Sequence, residues 1–146
     1  MLYIVVQFSA LGGALAWARP TDRLGPKFVV MVTLCQWTAI VVAAYFVQTP
    51  GQFWVLAVVA GTGLGAVQAA SRTFLTTLIP HGMEAEIFGF YSLCGKSAAV
   101  MGPLVFGSIS HAAGGNQRLG IVAIGLFFLA GLALLSRVRA GGPTSG

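Results

Sequence analysis

The sequence predicts an all-α membrane protein with five transmembrane helices. Hydrophobic residues make up 57% of the 146 residues and charged residues only 8%, whereas a typical soluble domain carries about 25% charged residues. So few charges cannot cover a soluble surface, and so hydrophobic a chain is not intrinsically disordered. Five apolar stretches approach the roughly 20 residues that a helix needs to cross about 30 Å of hydrocarbon.

The expected spans lie close together along the chain. We do not interpret the first as a secretory signal, because no Lys or Arg precedes its apolar run. That span is expected to be shortened at Met1, and together with the odd number of spans this suggests a fragment. The predicted spans are 1–18, 28–48, 53–79, 87–111 and 119–136.

Short connectors separate these spans. Residues 19–27 form a charged loop in which Pro20 and Pro26 are expected to break the helices. Residues 48–52 are expected to form an uncharged turn. The connector 80–86 places two glutamates in the first turn of the next helix, where they favour the helix dipole. Further expectations are a flexible turn over 112–118 and a disordered cytoplasmic tail over 140–146.

The basic residues are distributed unequally between the two sides of the membrane, which predicts the orientation. If the 19–27 loop is cytoplasmic, Arg118 is alone on the opposite side. This places the C-terminus in the cytoplasm. The excess of Arg over Lys, six to two, suggests a bacterial genome and therefore a bacterial inner membrane. The net charge of +5 forms no patch with interleaved aromatics, so it does not indicate nucleic-acid binding. The residues on the cytoplasmic side are Arg19, Arg23, Lys27, Arg137 and Arg139.

Lys96 is the most informative charged residue. It lies nine residues after Ile87 and therefore about 13 Å into the fourth span, near the middle of the bilayer. A lysine there costs about 2.5–3.5 kcal/mol on insertion scales and usually faces a bundle interior or a watery cavity. The alternative is a lysine whose stem reaches back to the cytoplasmic headgroups.

Other polar residues share this region. If the third and fourth spans form an antiparallel hairpin, Gln68 lies opposite Lys96 and Arg72 lies opposite Ser92. Such a seam can line a solute cavity or simply join two helices. Because the spans contain no acidic residue, the unpaired cations favour an anionic group such as a carboxylate. The acidic residues are Asp22, Glu84 and Glu86.

Two glycine motifs have structural interpretations. Gly61 and Gly65 lie within residues 61–66, which match the G-x-G-x-x-A fingerprint of dinucleotide-binding proteins, but the fingerprint requires a preceding strand and a βαβ unit. In a membrane helix these glycines predict close packing of two helices. Gly102 and Pro103 lie inside the fourth span, where a hinge and a static kink are both compatible with the sequence.

No motif indicates an enzyme, a metal site or a cofactor. Cys35 and Cys94 lie 59 residues apart within apolar runs, without the spacing of a zinc site, and are interpreted as buried free thiols. The chain has no acidic pair within one span and no phosphate-binding loop.

The segment from Ala18 to Lys27 resembles the cytoplasmic loop motif of the major facilitator superfamily, roughly G-x-x-x-D-R-x-G-R-[RK]. Asp22, Arg23, Gly25 and Lys27 match that motif. Ala18 replaces the first glycine and Pro26 replaces an arginine, so the segment resembles the weaker second copy of the motif, between spans 8 and 9. The resemblance implies that this loop acts as a gate, in which Asp22 pairs with a cation or a helix N-terminus in one state.

A second resemblance covers nearly the whole chain. The stretches 65–72 and 79–91, with Gly95-Lys96 and Gly102-Pro103-Leu104, resemble the vacuole-effluxer branch of the superfamily, whose eukaryotic members are autophagy-related vacuolar amino-acid exporters. The resemblance implies a twelve-helix fold, in which residues 1–139 correspond to spans 8–12. The N-terminal half would then be a missing partner, with the solute site between the halves.

The function expected from this resemblance is secondary-active transport of a small solute by alternating access, with a proton as a candidate coupling ion. The solute is expected to be an amino acid or a related metabolite. The alternative is a small stand-alone membrane protein that acts as an assembly or interaction partner.

Overall fold

A computed structural model describes residues 2–80 and 82–138, which form five α-helices and short turns, without a strand in these ranges. Each helix is long and apolar enough to cross a membrane. The predicted all-α, five-span fold class is therefore confirmed. The helices are α1 (Leu2–Leu24), α2 (Pro26–Phe46), α3 (Pro50–Thr76), α4 (Glu84–Ala112) and α5 (Gln117–Arg137).

The predicted charged loop over 19–27 is wrong. α1 continues through Pro20 to Leu24, and Gly25 alone separates it from α2. Pro20 lies about one turn before the helix end, so its missing N–H removes one backbone bond without stopping the helix. Pro26 is the first residue of α2, where a backbone N–H would have no partner within the helix, so proline loses no hydrogen bond there. Gly25 makes the turn with a φ of 88°, which glycine adopts without strain.

The predicted turn over 48–52 is also shorter than expected. α3 begins at Pro50, because Thr49 and Gln52 form a capping box. The Gln52 N–H donates to the Thr49 hydroxyl and the Thr49 N–H donates to the Gln52 side chain, each at 3.3 Å. α4 begins with Glu84 and Glu86 in its first turn, as predicted.

α2 occupies the centre of the bundle. It packs against α3 on one side and α5 on the other, while α1 packs on α3 and α4 packs on α5. Val29, Val30 and Ala70 form the buried core between α2 and α3. Trp37 of α2 stacks on Phe128 of α5 with their ring centroids 5.5 Å apart.

Two contacts define the ends of the bundle. At one end, the Lys27 ammonium donates a hydrogen bond to the Val138 carbonyl, so the α1–α2 turn and the end of α5 lie together. At the other end, the Arg118 guanidinium lies 5.3 Å from the centroid of the Tyr45 ring. Arg118 is thus separated from the other helix-end cations, as the charge distribution predicted. Arg139 and the expected tail over 140–146 lie outside the described residues.

Candidate functional site

A polar-walled groove of about 400 Å³ runs between α1 and α3. Its polar side chains are Gln7 from α1 and Gln68 and Arg72 from α3. Gln68 and Arg72 are one helical turn apart and therefore share a face. The remaining lining is small or apolar: Ala10, Leu11, Ala14, Leu64, Gly65 and Ala69.

Glycines set the distance between the two walls of this groove. A Cβ atom added to Gly65 would overlap the carbonyl oxygen of Ala10, and one added to Gly13 would overlap the backbone of Thr62. A Cβ atom on Gly61 would lie 2.6 Å from the Cβ of Ser9. The helix backbones can come this close only without side chains, as is common where membrane helices cross. The floor of the groove is consequently formed by backbone and small residues.

Arg72 and Gln68 are exposed along this groove. Arg72 lies four residues before the end of α3 and Gln68 eight, which corresponds to depths of about 6 and 12 Å. Within residues 2–80 and 82–138, the Arg72 guanidinium has no hydrogen-bond or ion-pair partner. Its donors are free for an acceptor that is absent from this part of the chain.

Among the described residues, α3 and α4 meet at a single side-chain hydrogen bond, where the hydroxyls of Ser71 and Tyr91 lie 2.8 Å apart. Beyond this point the two helices do not pack along their length within the described residues, since α4 packs instead on α5. A continuous hairpin seam is therefore not formed. Ser92 follows Tyr91 directly and is exposed.

Lys96 lies five residues beyond Tyr91, about 7.5 Å further along α4. Its side chain is exposed and has no hydrogen-bond or ion-pair partner in the described part of the chain. The structure thus brings Gln68 and Arg72 into one groove and leaves Ser92 and Lys96 on a separate helix. Pro103 lies within α4, which continues past it to Ala112, and Gly102 borders a small apolar cavity against α5.

Sequence reasoning missed Gln7 and Tyr91. Gln7 is the one amide side chain of α1, and a lone amide in an otherwise apolar span is a signal for a polar contact or a cavity. Tyr91 gave no such signal, because tyrosines are ordinary at membrane interfaces.

The residues that match the loop motif lie on helix ends. Asp22 and Arg23 belong to the last turn of α1, and Lys27 belongs to the first turn of α2. Lys27 holds the end of α5 through Val138. A gating role for Asp22, Arg23, Gly25 and Lys27 stays a prediction.

The described residues contain no group of three His, Cys, Asp or Glu side chains that could hold a metal ion. α3 is helical from Pro50 through residues 61–66, so the G-x-G-x-x-A pattern does not follow a strand there. Cys35 and Cys94 are free but exposed, so the expectation that both are buried is wrong.

Five apolar helices, a polar groove and unpaired cations are typical of a multi-span membrane protein. A family model described as vacuole effluxer Atg22-like matches residues 1–141. The chain belongs to this family, which is a branch of the major facilitator superfamily. No solved structure matches it significantly.

Curated relatives agree with this assignment. An uncharacterized MFS-type transporter, YxiO of Bacillus subtilis, is 29% identical over 138 residues, which are 94% of this chain and 32% of that protein. Autophagy-related protein 22-2 of Aspergillus oryzae is 28% identical over 92% of this chain and 24% of its own length. Autophagy-related protein 22 of Eremothecium gossypii is 32% identical over 62% of this chain and 18% of its own length. The chain spans about a third or less of these relatives.

Proposed function

We propose that this chain contributes the last five spans of a twelve-span secondary transporter, which moves a small solute bearing a carboxylate by alternating access. An amino acid or a related metabolite fits this description. The relatives that match nearly the whole chain are three to four times longer, which supports such a role within a larger protein.

The observation that carries this proposal is the α1–α3 groove with its unpaired Arg72. A guanidinium can bind a carboxylate through two parallel hydrogen bonds, and the Gln68 and Gln7 side chains can donate further bonds from the same groove. We assign Arg72 and Gln68 to the solute path. Lys96 and Ser92 on α4 are assigned to the facing wall, which the remaining helices of a longer protein would complete.

The proposal includes the orientation and the gate. The end that carries Arg19, Arg23, Lys27 and Arg137 faces the cytoplasm of a bacterial cell, in agreement with the unequal distribution of cations. Asp22 and Arg23, at the end of α1, contribute to a cytoplasmic gate.

The test is amino-acid counterflow by the full-length transporter reconstituted in liposomes. We expect Arg72→Gln to lower the rate at least tenfold, because a charge-assisted hydrogen bond contributes about 1.5–3 kcal/mol. Arg72→Lys is expected to give a transport rate between those of the wild type and Arg72→Gln. The control is Thr76→Ala on the same helix, since the Thr76 hydroxyl donates only to the Thr73 carbonyl of its own helix.

Lys96→Gln is tested in the same transport assay. Its control is Cys94→Ser, which changes a nearby exposed side chain of α4. An unaltered transport rate in Arg72→Gln would show that the α1–α3 groove is not part of the solute path. An unaltered rate in Lys96→Gln would show the same for α4.

Before the transport assay, a C-terminal tag at the native locus gives the size of the polypeptide. A band near 15.1 kDa would favour the stand-alone membrane protein instead.

A further inference from the structure

A second groove lies on the opposite side of α2, between α2 and α5, and it is apolar. Two adjoining cavities of about 340 and 470 Å³ form it, with Thr38, Val42 and Leu129 common to both. On α5 the lining extends from Ile121 to Leu132, a rise of about 16 Å. This length is close to one leaflet of hydrocarbon, which is about 15 Å.

A cation stands at one mouth of this groove. Arg118 lies about one turn before Ile121 and Val122, which line the groove. Its guanidinium is placed over the ring of Tyr45, which also lines the groove, 5.3 Å from the ring centroid. A guanidinium that lies over a ring keeps its in-plane N–H donors for other acceptors. In the described part of the chain the Arg118 side chain has no hydrogen-bond or ion-pair partner.

The position of Arg118 is electrostatically unfavourable for the isolated helix. It lies in the first turn of α5, where the helix dipole is positive and no acidic residue is present. α4 shows the usual arrangement, with Glu84 and Glu86 in its first turn. Arg118 is also at the end of the bundle opposite Lys27 and Arg137. An anion beside Arg118 would be stabilised by both the guanidinium and the dipole.

We propose that this groove binds one glycerophospholipid, with an acyl chain along α2 and α5 and the phosphate against Arg118. The occupant is a lipid because an apolar groove of one leaflet's length ends at a cation, which matches the charge and the length of a phospholipid. Tyr45 orients the guanidinium from below the headgroup, as aromatic residues do at membrane interfaces. This site is separate from the α1–α3 groove and does not depend on the transport proposal.

The test uses native mass spectrometry of the full-length protein in detergent. The protein is titrated with dioleoyl phosphatidylglycerol and with dioleoylglycerol, which has the same chains and no phosphate. We expect wild-type protein to bind the phospholipid at least tenfold more tightly. Arg118→Gln should weaken phospholipid binding about tenfold and leave dioleoylglycerol within twofold of wild type. Arg137→Gln, at the other end of α5, should change neither.

A second variant tests the acyl-chain part of the site. Val122→Trp fills the groove at a position that is 45% exposed and can hold a larger side chain. We expect it to weaken both lipids. Equal wild-type affinity for the two lipids would overturn the phosphate site even if Arg118→Gln did not fold. Unchanged phospholipid binding in Arg118→Gln would overturn it directly, and unchanged binding of both lipids in Val122→Trp would overturn the acyl-chain groove.

Discussion

The crossing of α1 with α3 and the crossing of α4 with α5 are both built on glycine, yet they differ in what the glycine faces. Gly65 faces the backbone of α1 at Ala10, which cannot move without displacing the helix. Gly120 faces side chains of α4, where a Cβ atom would lie 2.5 Å from the Ser110 Oγ and 2.7 Å from the Phe106 ring. Side chains can change rotamer, whereas a helix backbone moves as a unit.

The difference shows that the helices are held with unequal firmness. α3 is fixed between α1 and α2 by close backbone contact and a buried core. α4 packs on α5 alone along its length, and Ser110 is its one buried residue within the described range. The α1–α3 groove therefore has rigid walls, while α4, with Lys96, can shift at lower cost.

The largest effect is expected when a side chain is placed against backbone. Gly65→Val should destabilise the full-length protein by about 3 kcal/mol, at the upper end for overpacking, because α1 must move away from α3. The measurement is the midpoint temperature of thermal unfolding, followed by fluorescence-detected size-exclusion chromatography. Gly12→Val is the matched control, since nothing lies within 4 Å of its Cβ position. Equal losses in both variants would contradict the close crossing.

A smaller effect is expected at the second crossing. Gly120→Ala should cost about 1 kcal/mol, because Ser110 and Phe106 can adopt other rotamers to admit a methyl group. The same thermal assay measures it, with Gly107→Ala on α4 as the control in open space. A loss as large as that of Gly65→Val would show that α4 is held as firmly as α3.

The smallest effect is expected at the link between the two regions. Tyr91→Phe removes the hydroxyl that meets Ser71 and should cost about 0.6 kcal/mol, the average for hydrogen bonds between membrane helices. A double-mutant cycle with Ser71→Ala isolates the pair. A coupling energy near zero would mean that α4 is not held against α3 by this bond.

The sequence predicted the number, type and order of the helices because hydrophobic length is a strong signal in a membrane chain. It misplaced helix ends at Pro20 and Thr49, where proline position and a capping box decide the boundary locally. Proline one turn from a helix end or at a first helical position does not interrupt a helix. Composition alone does not separate these cases from a true break.

The candidate site was predicted only in part. Gln68 and Arg72 line one groove, since four-residue spacing places them on one face of α3, and their role in a solute path stays a prediction. Gln7, which lines the same groove, was not found, because the sequence does not say that α1 crosses α3 through Gly61 and Gly65. The expected pairing of Gln68 with Lys96 assumed that neighbours in sequence pack together, whereas α4 packs on α5.

The single-residue turn at Gly25 has a consequence for how the chain enters the bilayer. Because Gly25 alone joins α1 and α2, one helix cannot insert into the bilayer while the other remains in water away from the membrane surface. We expect the two to cross the hydrocarbon as a hairpin, which lets the polar groups at Asp22, Arg23 and Lys27 stay together at the surface. Gly25 thereby makes the membrane integration of α1 and α2 a two-helix event.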